Sequence, residues 1–182
     1  MRTGSETMKS ELVEELLGMA FVAGQTFITT VRTRIGRLSD GCRSNFGRRL
    51  TLAANKGYDT LKVGTLRQAA PRYTKVEVIN AVANYWKHQG DWPTDMKKKG
   101  SRIVTVWDLA MMGKSEKRTV AVAIEIGISP GYSGSLPAAA EAFGVTKFED
   151  ISPISQELRS WAQTVYEQAR AEISSFAGSG TK

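Results

Sequence analysis

The one histidine of this 182-residue chain, His88, sits in the stretch ANYWKHQGDWP at 83–93, with Asn84 four residues before it and Lys87 beside it. On a helix, residues four apart share a face, so the Asn84 amide would lie next to the His88 imidazole and could fix its orientation. An imidazole that titrates near neutrality serves as general base or acid, and a neighbouring cation stabilises charge building on a phosphate. His88, Asn84 and Lys87 therefore form the set expected for metal-free RNA cleavage, in which a 2′-hydroxyl attacks its own phosphate. The plainer alternative is a pinned helix end. Trp86, Trp92 and Pro93 would pack there as an apolar plug, with His88 bonding a terminal carbonyl.

The rest of the inventory removes other chemistries. One histidine and one cysteine cannot build a zinc site of the usual kinds, and no Walker-type loop or Gly-rich dinucleotide fingerprint occurs. Neither metal nor cofactor is expected. GYSGS at 131–135 resembles a nucleophile elbow loosely, with its glycine one position early, and reads better as a polar turn before Pro137. Cys42 is alone, which excludes an intrachain disulfide and suits a reducing cytoplasm. The N-terminus MRTGSETMKSE lacks a signal-peptide layout, and the longest apolar patch, GMAFVAG, runs into Gln25 and Thr26. A cytoplasmic protein without membrane contact is the expectation.

The net charge of +7 is unevenly placed. Between Ser39 and Lys75 lie eight basic residues against only Asp40 and Asp59, and a second basic run, DMKKKGSR, follows at 95–102. Such segments favour polyanions through phosphate contacts and counterion release. Arg48, Arg49, Arg72, Lys75, Lys97, Lys98, Lys99 and Arg102 are the residues expected to meet RNA or another polyanion. A solvated loop, or one that docks an acidic protein partner, would have the same composition.

These residues need elements to position them. Leu12, Leu16, Met19, Ala23, Phe27, Val31, Ile35 and Leu38 recur at helical steps and predict one helix over 6–38, with Leu17, Phe21 and Ile28 widening its apolar stripe. From 39 to 73 the periodicity fades, which predicts a long basic insertion with one short helical piece near GRRLTLAANKG. Thr74 and Glu77 form a capping box for a helix that ends near His88, with Gly90 and Pro93 as stop signals. The 118–128 stretch fits either helix or strand, and helix is favoured, with minor β content possible around 102–126. A short helix from Pro137 ends at Gly144, and Ser152 with Pro153 opens a last helix with Leu158, Trp161, Val165, Ala169, Ile173 and Phe176 on one face. The expected fold is all-α, a single helical domain over 1–182 with long first and last helices and a flexible tail at 177–182.

ANYWKH in this layout resembles the signature of the HEPN proteins, helical domains common in bacterial defence systems and toxin–antitoxin pairs. Their motif is an arginine, a polar residue such as Asn, a few variable residues and a histidine near a helix end. Asn84 and His88 match the polar residue and the histidine, whereas Ala83 stands where the family carries its arginine. The resemblance implies a metal-independent ribonuclease acting as a homodimer or larger assembly, with Lys87 or Arg72 standing in as the cation. It equally allows a member that has lost catalysis. An N-Y-[FW]-K-H…W segment, a Gln-Thr-x-Ile patch at QTFIT (25–29) and a late Gly-Ile also resemble uncharacterised bacterial proteins, over about Leu17 to Trp161. Three readings follow: an RNA-cleaving protein using His88, a non-enzymatic nucleic-acid-binding module, and a helical assembly subunit.

Overall fold

The first proline is Pro71, and with nothing to break it the first helix, α1 (Gly4–Phe46), runs 43 residues. Gly47 stops it: its φ of 67° is the left-handed conformation, and its N–H returns to the Arg43 carbonyl at 3.0 Å. The computed structural model describes residues 4–64, 66–67, 70–88, 114–128, 135–147 and 150–178. Its other elements are a 3₁₀ helix (Thr51–Lys62), strands β1 (Leu66–Arg67) and β2 (Ala70–Thr74), and helices α2 (Lys75–His88), α3 (Lys114–Glu125), α4 (Ser135–Glu141) and α5 (Ser152–Gly178). The all-α class and the two long terminal helices are as expected.

The 39–73 stretch carries more order than a basic loop. Its first eight residues complete α1, and Leu66 and Arg67 pair antiparallel with β2. Runs of 3₁₀ helix beyond three or four residues are uncommon, and positive φ at Asn55 (49°) and Gly57 (76°) breaks Thr51–Lys62 into successive short turns. The ambiguous 118–128 stretch is helical through Glu125, and Gly127 at φ 81° closes α3 as Ile128 N–H bonds the Ala123 carbonyl at 2.9 Å. Among the described residues the β content lies at 66–74, and 102–113 of the stretch expected to allow it lie outside them. Gly90 and Pro93 lie outside the described residues, as do 179–182 of the expected tail, whose first two residues, Ala177 and Gly178, instead end the last helix.

The chain falls into two compact units, and neither is one continuous segment. Unit 1 comprises 1–25 and 78–154, and unit 2 comprises 26–77 and 155–182. In unit 1 the core is built from Leu17, Phe21, Val78, Ile79, Val82, Tyr85, Val120, Ala123, Leu136 and Ala140, with Phe21 and Phe143 edge to face at 6.1 Å. In unit 2 it is built from Ile28, Val31, Ile35, Leu50, Leu61, Val76, Leu158, Trp161 and Val165.

The buried face of α1 is only part of the expected one. Val31 and Ile35 are buried as expected, with Leu17, Phe21 and Ile28 of the widened stripe, while Leu12, Leu16, Met19, Ala23, Phe27 and Leu38 are exposed. The reason is Gly18, itself buried: a Cβ there would overlap the Trp86 indole. A glycine that admits a tryptophan turns the helix toward its own side, yet adds nothing to an apolar pattern. A stretch within Glu11–Phe46 is also long and apolar enough, by length and composition only, to cross a membrane. Its mean hydropathy is 1.3, and a third of that window is buried; the core helix of a soluble bundle passes the same test.

The capping box forms as expected. Thr74 N–H donates to Glu77 Oε2 at 2.8 Å and Glu77 N–H to Thr74 Oγ1 at 3.2 Å, all buried. Thr74 Oγ1 also donates to the Leu61 carbonyl, so one hydroxyl ties α2 to the 3₁₀ segment. Thr74→Ala should cost about 1–2 kcal/mol, and Thr74→Ser much less. Urea denaturation of the two variants checks it, and equal losses would mean that the methyl, not the hydroxyl, carries the site. At the last helix the expected Ser152 cap is displaced: Asp150 Oδ1 accepts Ser152 N–H at 2.9 Å, and the hydrogen bond to Ser152 lowers the Asp150 pKa.

Candidate functional site

Helix α2 is buried nearly all round. Val76, Glu77, Val78, Ile79, Ala81, Val82, Ala83 and Tyr85 are all shielded from solvent, as expected for a helix surrounded by packed elements. That leaves a narrow open strip. Asn80, Asn84, Lys87 and His88 stand at i, i+4, i+7 and i+8, so they share a face. Asn80 and Asn84 are half-buried, and Lys87 and His88 are exposed in the last turn.

Gln25 of α1 closes the inner end of this strip. Its Nε2 donates to Asn84 Oδ1 at 2.6 Å and lies 3.1 Å from Asn80 Oδ1 and 3.3 Å from the Asn80 carbonyl. One amide with two hydrogens thus serves three acceptors, and its grip fixes how Asn84 is turned. The Asn84 oxygen faces Gln25, which leaves Asn84 Nδ2 as the group available to a bound molecule or to the next turn. Asn84 was expected to orient His88; the partner it has among the described residues is Gln25. Asn80 was missed, and Gln25, noted mid-helix in the QTFIT patch, was not joined to the site. A glutamine next to the apolar run GMAFVAG was the available signal, since a half-buried amide needs a partner.

Ala83 lies in the core, fully buried. The position where the resemblance places an arginine therefore opens onto apolar packing, one side of the helix away from His88. The exposed cation nearest His88 in sequence is Lys87.

The other expected binding residues fall in different places. Arg48 lies over the Phe176 ring at 5.6 Å, Arg49 and Arg72 are exposed, and Lys75 is held by Glu157 at 3.0 Å. That ion pair leaves Lys75 poorly placed to grip phosphate. Lys97, Lys98, Lys99 and Arg102 lie outside the described residues. All four described residues of this set belong to unit 2, whereas His88 belongs to unit 1.

The division sharpens the charge pattern. Over the sequence, unit 2 holds fourteen Lys and Arg against six Asp and Glu, a formal +8, while unit 1 holds eleven against twelve, a formal −1. The excess reaches beyond the 39–75 stretch: Arg34 and Arg37 are exposed on α1, and Arg32 lies over the Tyr58 ring at 4.3 Å. Among the described residues, no three His, Cys, Asp or Glu side chains gather as metal ligands do. The chain matches no family model, no curated protein and no solved structure.

Proposed function

We propose that this protein binds RNA through unit 2. The observation that carries the reading is the segregation of charge, +8 on one unit and −1 on the other, with Arg34, Arg37, Arg43, Arg48, Arg49 and Arg72 exposed on the basic one. Charge spread evenly over a surface serves solubility; charge gathered on one unit makes a field that draws and holds a polyanion. Arg48 against Phe176, beside the Phe46 ring at 6.2 Å, adds a cation–aromatic cluster of the kind on which unstacked bases rest.

Fluorescence anisotropy with a mixed-sequence single-stranded RNA, over a salt series, tests the reading. Affinity should fall steeply with salt, and Arg48→Gln with Arg49→Gln should flatten the log–log slope by about 1–2. Binding that ignores salt, or none at all, would sink it.

A second reading adds cleavage, favoured by one observation: the Gln25–Asn84 hydrogen bond holds an amide one turn before an exposed His88, with Lys87 alongside. There His88 takes the 2′-hydroxyl proton as the 2′-oxygen bonds to phosphorus and the P–O5′ bond breaks, water supplies the proton of the departing 5′-oxygen, and Lys87 and Asn84 Nδ2 meet the phosphate oxygens. Metal-independent cutting in EDTA that is lost in His88→Ala, with the melting temperature unchanged, supports it. RNA that is bound and left intact would reduce the protein to a binding module.

A further inference from the structure

The described surface of unit 2 has a depression of about 510 Å³, lined by Arg34, Arg37 and Leu38 of α1 and Tyr166 of α5. The depression is shallow and open to solvent over most of its extent, with room for more than one phosphate group. Three features of the lining point to a single chemistry. Arg34 and Arg37 are three residues apart on a helix, which makes them neighbours on one face, and both are exposed. Neither forms an ion pair with a described residue. Tyr166 Oη is shut off from solvent and has no hydrogen-bond partner among the described residues. A buried hydroxyl left unbonded is uncommon and is satisfied when an acceptor arrives.

We propose that this depression is a binding site for a phosphate ester of nucleotide size. Two guanidiniums and a phenol line the one depression as donors. A phosphate monoester has three free oxygens and more than one charge to answer them, whereas a carboxylate or a phosphodiester has only two free oxygens and one charge. The Tyr166 ring and Leu38 form the apolar part, against which a nucleoside lies while its phosphate faces the arginines. The exposed arginine side chains reorganise as the ester enters, and the hydroxyl beneath them then gains its acceptor. The ester comes in two chemical forms, a free nucleoside monophosphate or the terminal monophosphate of a strand.

Calorimetric titration of the full chain with each of the four nucleoside monophosphates, the matching nucleosides and a 5′-phosphorylated RNA oligomer tests the site. At least one monophosphate or the oligomer should bind, and its nucleoside should not. Arg34→Gln and Arg37→Gln should each weaken binding about tenfold or more. Tyr166→Phe supplies the sharper control, because it deletes a hydroxyl that bonds no described residue in the free protein. It should weaken binding similarly, while the unliganded melting temperature holds or rises. Monophosphate binding without oligomer binding keeps the site and ends the RNA reading. Oligomer binding alone, lost in the arginine variants, identifies the strand as the source. Oligomer binding untouched by all three substitutions overturns the site and leaves the RNA reading standing, and no binding by any phosphate ester overturns both.

Discussion

Trp161→Ala should lower the free energy of unfolding by about 3–5 kcal/mol, the range for emptying a large aromatic site in a core. Trp161 is the largest fully buried side chain among the described residues, and its Nε1 donates to the Thr60 carbonyl at 2.8 Å. Thr60 Oγ1 in turn donates to the Gly57 carbonyl at 2.6 Å, and the next carbonyl, that of Leu61, accepts from Thr74. One indole therefore fastens the 3₁₀ segment to α5, and the same segment is tied to the start of α2. These turns have little regular hydrogen bonding of their own, so they depend on such side-chain contacts. Trp161→Phe separates the two contributions. It keeps much of the ring but leaves the Thr60 carbonyl with only the 3.2 Å bond from Val63, and should cost about 1–3 kcal/mol. Urea denaturation ranks the variants. A Phe variant as damaged as the Ala variant would assign the effect to the hydrogen bond, and two mild variants would remove Trp161 from the centre of unit 2.

The elements that could be read in advance are those whose signals are local. The Thr74–Glu77 capping box, the glycine stop at Gly144, and the 27-residue last helix each rest on residues within a turn or two of one another. What escaped depends on partners distant in sequence. The 3₁₀ segment holds its shape through Trp161, about a hundred residues on, and through Glu172, whose carboxylate takes the Thr51 N–H at 3.0 Å and its hydroxyl at 3.0 Å. No periodicity within 51–62 announces either. The face of α1 was misjudged for a similar reason, since two apolar stripes interleave along it and only the fit of Trp86 on Gly18 chooses between them. At the candidate site, Asn84, Lys87 and His88 do share the open face of α2. Gln25 could not be joined to them from sequence, being 59 residues from Asn84 with no local pattern to link the two.

Ala83→Arg, the change that would complete the resemblance by putting an arginine before Asn84, should destabilise unit 1 by more than about 4 kcal/mol. Position 83 is fully buried, and its neighbours Ile79, Val82 and Tyr85 are buried with it. A guanidinium there would leave water without a carboxylate or carbonyl to receive it, or would push α2 out of its packing. The expected result is loss of a cooperative melting transition and no gain in RNA cleavage. Lys87→Arg is the matched control: the same side chain is introduced four residues on, at an exposed position, and stability should change by no more than about 0.5 kcal/mol. If Ala83→Arg instead folds with the parental melting temperature and cleaves RNA faster, the arginine has reached the strip that holds Asn84 and His88. The alanine would then mark a lost catalytic group. If it unfolds, the packing of α2 itself excludes the arginine, and any cation that acts with His88 has to come from the open face, where Lys87 stands.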